Sequence, residues 1–424
     1  IGSGSTTVLS ADIVTSGTAI DIADAVQVDG TNITLDTTNG ATVSAGANIR
    51  ITGGSAGIFA TAGATTNNLT INSGTGGTAL LGSLLGFGTG GGAGELVNNL
   101  TVNAATTVLP SVNILAGTVG ITSTNITLGA DLTAGSTTAG GSLSLTGAVA
   151  LTSSVVLAGD GITVTGGITG NNNNLTLDGN GGASTANGAV SVTGTVSDIQ
   201  GLTVQDAAGA TFAQVTAQTV QLANTNTGTV TFGGDLTVAG QFAAATGSSY
   251  NLAIVGTTNT IGGPVSFVNT GSLTLGDANG DSTTISSGLS RSNQTLLQGT
   301  AKFGGAVTLG SAEATNASGN LTLTADSLSL THNGGNKFGA VSITTTNATV
   351  FAGGTLAATT LGVNAGSISQ TGGILNPSGA TTLSATGDIS LAGANTFGGD
   401  VTVSGANVTL NDNTALSLTG ANSA

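Results

Sequence analysis

The sequence predicts an all-β chain wound into a parallel β-helix, and three observations carry that prediction. Short runs alternate apolar and polar residues from end to end. Glycine supplies 72 of the 424 residues. Charged residues make up 5%, against about 25% in ordinary globular domains. The runs supply strands, and the glycines supply corners. The missing charge leaves none of the i,i+4 ion pairs or capping boxes that mark helices.

The strands follow in order. NITLD from Asn32, NLTIN from Asn68, NLTVN from Asn99 and NITLG from Asn125 open the series. SLSLTG from Ser142, ITVTGG from Ile162, NLTLDG from Asn174, DLTVAG from Asp235 and SLTLGD from Ser272 continue it. NLTLTAD from Asn320, DISLAG from Asp388, DVTVSG from Asp400, NVTLND from Asn407 and ALSLTG from Ala415 complete it. Period-2 alternation turns one face inward and one outward. Thr, Val and Ile suit a pleated surface. Gly, Asn and Asp between the runs tolerate turn conformations. One stretch departs from the pattern. TALLGSLLGFG, Thr78 to Gly88, sets Leu80, Leu81, Leu84, Leu85 and Phe87 at helical spacing, but glycines interrupt it. It is expected as an apolar loop or single turn, and as a candidate contact surface.

Spacing selects the architecture. In the last third, strand centres recur about every nine residues, which suits serial β-sandwiches or a β-solenoid. Sandwiches would show aromatic anchors and a period near ~100 residues, and the chain shows neither. A solenoid needs small corner residues and a continuous aliphatic ladder, and both are present. Three short strands per rung give roughly 20–27 residues per rung, some 16–20 rungs and an elongated rod of about 80–95 Å.

A second repeat marks the corners. TFGGDLTVAG begins at Thr231, KFGGAVTLGS at Lys302, KFGAVSITTT at Lys337 and TFGGDVTVSG at Thr396. Phe232, Phe303, Phe338 and Phe397 read as inward corner fillers. Most of the ten phenylalanines lie beyond residue 200. The expectation is one continuous solenoid over 1–424, Phe-poor over 1–200 and Phe-rich over 201–424, with the core widening between them.

Composition excludes several function classes. Cysteine is absent, so there is no disulfide framework, thiolate metal site or cysteine nucleophile. The sole histidine, His332, cannot build a His-rich metal site. Arg50, Arg291, Lys302 and Lys337 are the four bases, against 19 acids and a net charge of −15. Four bases leave no footprint for nucleic acid and no polybasic patch for a membrane, and no membrane insertion is expected. Methionine is absent, so the chain is expected to be a processed product or a piece of a longer secreted precursor.

Residues Ala394 to Gly420 read ANTFGGDVTVSGANVTLNDNTALSLTG, and Asn336 to Gly354 read NKFGAVSITTTNATVFAGG. These runs resemble the repeats of filamentous-haemagglutinin-type exoproteins and autotransporter passengers, clearly in the C-terminal half and by style elsewhere. The resemblance implies a right-handed parallel β-helix, secretion through an outer-membrane pore, and adhesion or surface display. The family's N-terminal cap and C-terminal barrel are not recognisable within these residues, which leaves the export route open.

Few residues carry chemistry. In DANGD, Asp277, Asn279 and Asp281 present oxygens two residues apart, as calcium loops do. Gly280 is misplaced for an EF-hand, and the twelfth position is Gly288. The default is a solvated turn, with calcium as the alternative and no other cofactor expected. A β-helical polysaccharide lyase or hydrolase would need clustered carboxylates near a base, and Asp277, Asp281, Arg291 and Lys302 are the candidates. The remaining acids suit turns and solubility. Ten Asn-x-Ser/Thr sequons mostly read as a turn asparagine entering a strand.

The leading expectation is a non-enzymatic extracellular structural protein. Its subunits would stack head to tail into a surface fibre through uncapped terminal rungs, with Ile1, Leu416 and Leu418 as contact candidates. The partner would be a second copy, with a host-cell or neighbouring-cell surface as the other. A monomeric adhesin or passenger stalk, a surface-layer protein and a β-helical enzyme are the alternatives.

Overall fold

A computed structural model describes residues 5–52, 57–61, 67–82, 97–110, 114–135, 140–181, 187–246, 249–334 and 336–419. The described residues form strands, turns and bends, with no helix among them. The expected class is found: parallel strands stack coil upon coil as a β-solenoid. The chain divides into two compact units, Ile1–Gly228 and Thr229–Ala424.

In the first unit, an inward column runs through Leu35, Ile71, Val102, Ile121, Leu145, Val164, Val192 and Phe212, each residue in register with the next. Every member is at most 1% exposed. Beside it runs an outward column of Thr34, Thr70, Thr101, Gly120, Ser144, Thr163, Ser191 and Thr211. Period-2 alternation thus becomes a dry apolar ladder backed by a column of hydroxyls interrupted at Gly120.

The coils are less even than the spacing suggests. Leu35 to Ile71 spans 36 residues and Ile71 to Val102 spans 31, whereas Val102 to Ile121 spans 19. In the Leu35–Ile71 coil the chain makes an excursion between strands. It follows Thr37, which is fully buried. The Thr37 hydroxyl donates to the Ala47 carbonyl and accepts the Ala47 N–H, both at 2.9 Å, and this clamps the base of the excursion.

Rung sides also fuse. Asn68–Leu81 and Ile114–Leu128 each run as one strand of 14 and 15 residues. Their ladders slip at Asn72/Gly74/Thr78 and at Thr122/Asn125. Bulges of this kind bend a strand without ending it.

The second unit keeps three strands per coil at its start. Thr229–Phe232, Leu236–Val238 and Phe242–Ala244 pair with Asn251–Ile254, Thr258–Ile261 and Val265–Phe267. Later coils settle to a repeat of 20 residues, seen in the inward column Leu323, Ile343, Val363, Leu383 and Val403. Aromatic rings fill the early coils. Phe242 meets Phe232 edge-on at 5.6 Å between ring centres and Phe267 at 5.0 Å. Phe232, Phe303, Phe338 and Phe397 are all at most 5% exposed.

Two local expectations are corrected. Thr78–Leu81 is not a loop but the end of the strand Asn68–Leu81. Ala79 and Leu81 are buried and Leu80 is half-buried, because the coil below demands strand hydrogen bonds: the Gly82 N–H donates to the Ile51 carbonyl at 2.7 Å. Leu84, Leu85 and Phe87 lie outside the described residues. ALSLTG is not a strand but a single parallel bridge, Leu418 to Val401. It is held by Val401 N–H to the Ser417 carbonyl and Thr419 N–H to the Val401 carbonyl, while its leucines stay exposed.

Candidate functional site

The acids act as clips between coils. Asp12 Oδ1 accepts the Thr34 N–H, Asp131 Oδ1 the Val156 N–H and Asp235 Oδ1 the Thr258 N–H, each at 2.8 Å. In each case the donor sits one coil further on, just ahead of the point where the backbone ladder between the two strands begins. Asp326 and Asp388 accept the amides of Asn347 and Asn407 in the same way. Asp36 takes the most donors: the Thr38 N–H and hydroxyl and the Asn72 amide on Oδ1, and the Gly40 N–H on Oδ2. Burial works against its charge, but the Thr38 hydroxyl and the Gly40 and Thr38 N–H groups outweigh burial. They hold the carboxyl below its ordinary value. Arg50 and Asp21 form an exposed ion pair at 3.3 Å, which contributes little to stability.

The DANGD loop closes on itself. Asp281 is 6% exposed, and its Oδ2 accepts the N–H groups of Asp277 and Ala278, both at 2.9 Å. Asn279 Oδ1 accepts from Gln298 Nε2 at 3.1 Å and from the Asn320 N–H at 2.9 Å. The Asn316 amide donates to the Asp277 carbonyl at 2.7 Å. Burial and then the adjoining Asp281 carboxylate raise Asp277 above its ordinary value. A cation here would compete with donors already seated on Asn279 and Asp281. Among the described residues no group of three or more His, Cys, Asp or Glu side chains gathers to hold a metal.

Sequon asparagines serve the stack. Asn68 Nδ2 donates to Asn32 Oδ1 at 2.7 Å, and Asn99 Nδ2 to Asn68 Oδ1 at 2.8 Å. Asn293, Asn316, Asn347 and Asn407 also donate their amides. The nitrogen that a glycan would need is a coil-to-coil donor at these positions.

Arg291 was legible only as a base near two acids, and its burial was not. It is 4% exposed. Its Nη1 donates to the Phe267 carbonyl at 2.7 Å and to Asn269 Oδ1 at 3.0 Å, its Nη2 to the Gly271 carbonyl, and its Nε to the Gln294 carbonyl. The guanidinium knits adjoining coils from inside and is not offered to a ligand. Tyr250 is fully buried nearby. Burial pushes its ionisation above the ordinary range, against smaller opposing pulls from the Ala245 backbone and from Arg291. Lys302, by contrast, is exposed.

A shallow groove of about 400 Å³ crosses the first unit, walled by Asn72, Thr75, Asn103, Thr122 and Thr146 among others. Its walls are Asn, Thr, Ser, Ala and Gly. They offer hydrogen bonds but no group suited to general acid or base catalysis near neutral pH.

Of the contact candidates, Leu416 and Leu418 are 37% and 49% exposed, Leu81 is core, and Ile1 lies outside the described residues. Sequence reasoning missed Val8 and Val14 on the first coil, each 51% exposed. They lie on the short strands Thr6–Leu9 and Ile13–Val14, which the run of alternating segments from Asn32 onward did not include.

Comparison with known proteins adds one finding. Residues 338–404, within the second unit, match the family described as repeats of unknown function (DUF5649). Neither the curated proteins nor the solved structures gave a match to this chain. Coil geometry and this match together describe a repeat-type β-helical protein.

Proposed function

We propose that the chain is a non-enzymatic structural protein of the cell exterior, whose copies join end to end into a surface fibre. One observation carries the reading. Six large aliphatic side chains stand exposed among the described residues: Val8, Val14, Val268, Ile374, Leu416 and Leu418. Four of the six lie on the first and last described coils. Exposed aliphatic side chains beside strand edges favour pairing with another strand. The partner that fits is a second copy, because the inward ladder repeats along the chain. A location outside the cell is supported by the resemblance to filamentous-haemagglutinin-type exoproteins and autotransporter passengers, and by the scarcity of basic residues. Surface labelling of intact cells checks it.

The assembly test is electron microscopy and light scattering on chain 1–424. Fibres are expected at neutral pH, and Leu416→Asp with Leu418→Asp should abolish them while leaving the circular dichroism of the folded chain unchanged. Monodisperse monomers, with and without calcium, would replace this reading with the monomeric stalk. Two-dimensional sheets would replace it with the surface layer.

A further inference from the structure

The sole histidine ends the strand Leu328–His332 and is 2% exposed. Ala312 flanks it in register on one side and Gly354 on the other. The Phe338 ring lies 5.7 Å from its own, centre to centre. His332 Nδ1 accepts the Gly334 N–H at 3.2 Å. That bond places the neutral ring's proton on Nε2. Nε2 is buried and has no hydrogen-bond partner. The crevice around it, walled by Leu330, Phe351, Leu356 and Leu375, has no room for a water molecule. Gly354 has φ +69°, and a Cβ there would run into the His332 carbonyl, so the coils meet too closely to admit one.

Protonating this ring fails in two ways. A proton on Nδ1 turns the acceptor of the Gly334 bond into a second donor facing the first. The new charge also lies where neither water nor a hydrogen-bonded carboxylate can reach it. Charged groups around the ring are few. Glu313, beside Ala312, is felt by the ring. The strands Ala348–Ala365 and Phe338–Thr345 contain no charged residue. Lys337, beside Phe338, is exposed and donates to Ser378 Oγ at 2.9 Å.

We propose that His332 is an acid-operated latch on this coil of the second unit. In the neutral state its Nδ1 pins Gly334. On taking a proton from solvent the bond is lost, and the buried His332 ring, with the facing edge at Gly353 and Gly354, opens to water. Burial holds the imidazole below its ordinary value, against smaller opposing pulls from the Asn336 and Thr355 backbone and the Glu313 carboxylate. The open form therefore binds the proton first. The latch contributes fully above about pH 6.5 and weakens as pH falls below that value.

Because the chain has one histidine, its ring resonances report the latch directly. The ring should titrate below the ordinary histidine value. Hydrogen exchange at the Gly334 amide, corrected for intrinsic chemistry, should quicken by up to about tenfold per pH unit below about pH 6.5. His332→Gln should remove that acceleration. A ring titrating at or above the ordinary value overturns the proposal. So does flat Gly334 exchange in the unaltered chain, or equal acceleration in His332→Gln. If that variant does not fold, the ring titration decides alone.

Discussion

The two units build the same coil from different interiors. The first stacks apolar side chains in one unbroken column from Leu35 to Phe212, and its buried polar side chains are hydroxyls, amides and carboxylates, with Asp36 taking the most donors. The second opens with a fully buried Tyr250 and a chain of edge-on phenylalanines, and it carries Arg291 and His332 inside. Its buried polar groups sit between coils and hold them from within. Clips can be lost singly, whereas an interior cation is a keystone, because its removal leaves several buried acceptors empty at once.

Removing the keystone is the strongest way to break that comparison. Arg291→Ala should cost about 3–5 kcal/mol, because the Phe267, Gly271 and Gln294 carbonyls and Asn269 Oδ1 all lose a donor. Tyr250, the one tyrosine in a chain without tryptophan, supplies a fluorescence signal placed inside the second unit. A loss below about 1 kcal/mol would mean that the guanidinium is a passenger.

Asp36→Asn should cost about 1–3 kcal/mol. It also sharpens the contrast in acid. The carboxyl sits below its ordinary value of 3.8. Its contribution is thus present above that value and is lost as pH falls through the folded value. The Asn variant should be flat in that range where the unaltered chain weakens. The second unit should weaken earlier, below about pH 6.5, through His332. Mild acid therefore separates the units, and denaturant titrations at pH 7, 5 and 3 would reveal the order.

The smallest effect is expected at a single clip. Asp235→Ala should cost about 1 kcal/mol by stranding the Thr258 N–H. Asp235→Asn keeps an oxygen in place and should cost less. An equal loss in both would assign the role to charge rather than to the bond.

Much of the fold was legible in the sequence. Runs such as NLTIN and DVTVSG announce strands because side-chain alternation follows directly from backbone pleat, whatever the partner. Coil length was less legible, since an excursion such as the one after Thr37 changes it without disturbing the alternation. Leu80 and Leu81 misled because their helical spacing is also compatible with a strand once a coil below supplies partners. Burial of Arg291 and His332 was not legible at all. Both residue types ordinarily seek water, and their places depend on which coil each strand meets, a long-range fact that no local pattern encodes. The Asp277–Asp281 loop showed its oxygens in the sequence but not that backbone donors had already taken them.

The even 20-residue repeat from Leu323 to Val403 makes length a counted quantity. Inserting or deleting a whole repeat would leave every inward residue inward and every clip one coil from its donor, while changing the stack by about 4.8 Å. A shift of one residue would turn a column inside out. Selection on such a sequence can therefore adjust reach in whole steps, by duplication and loss, without redesigning a core.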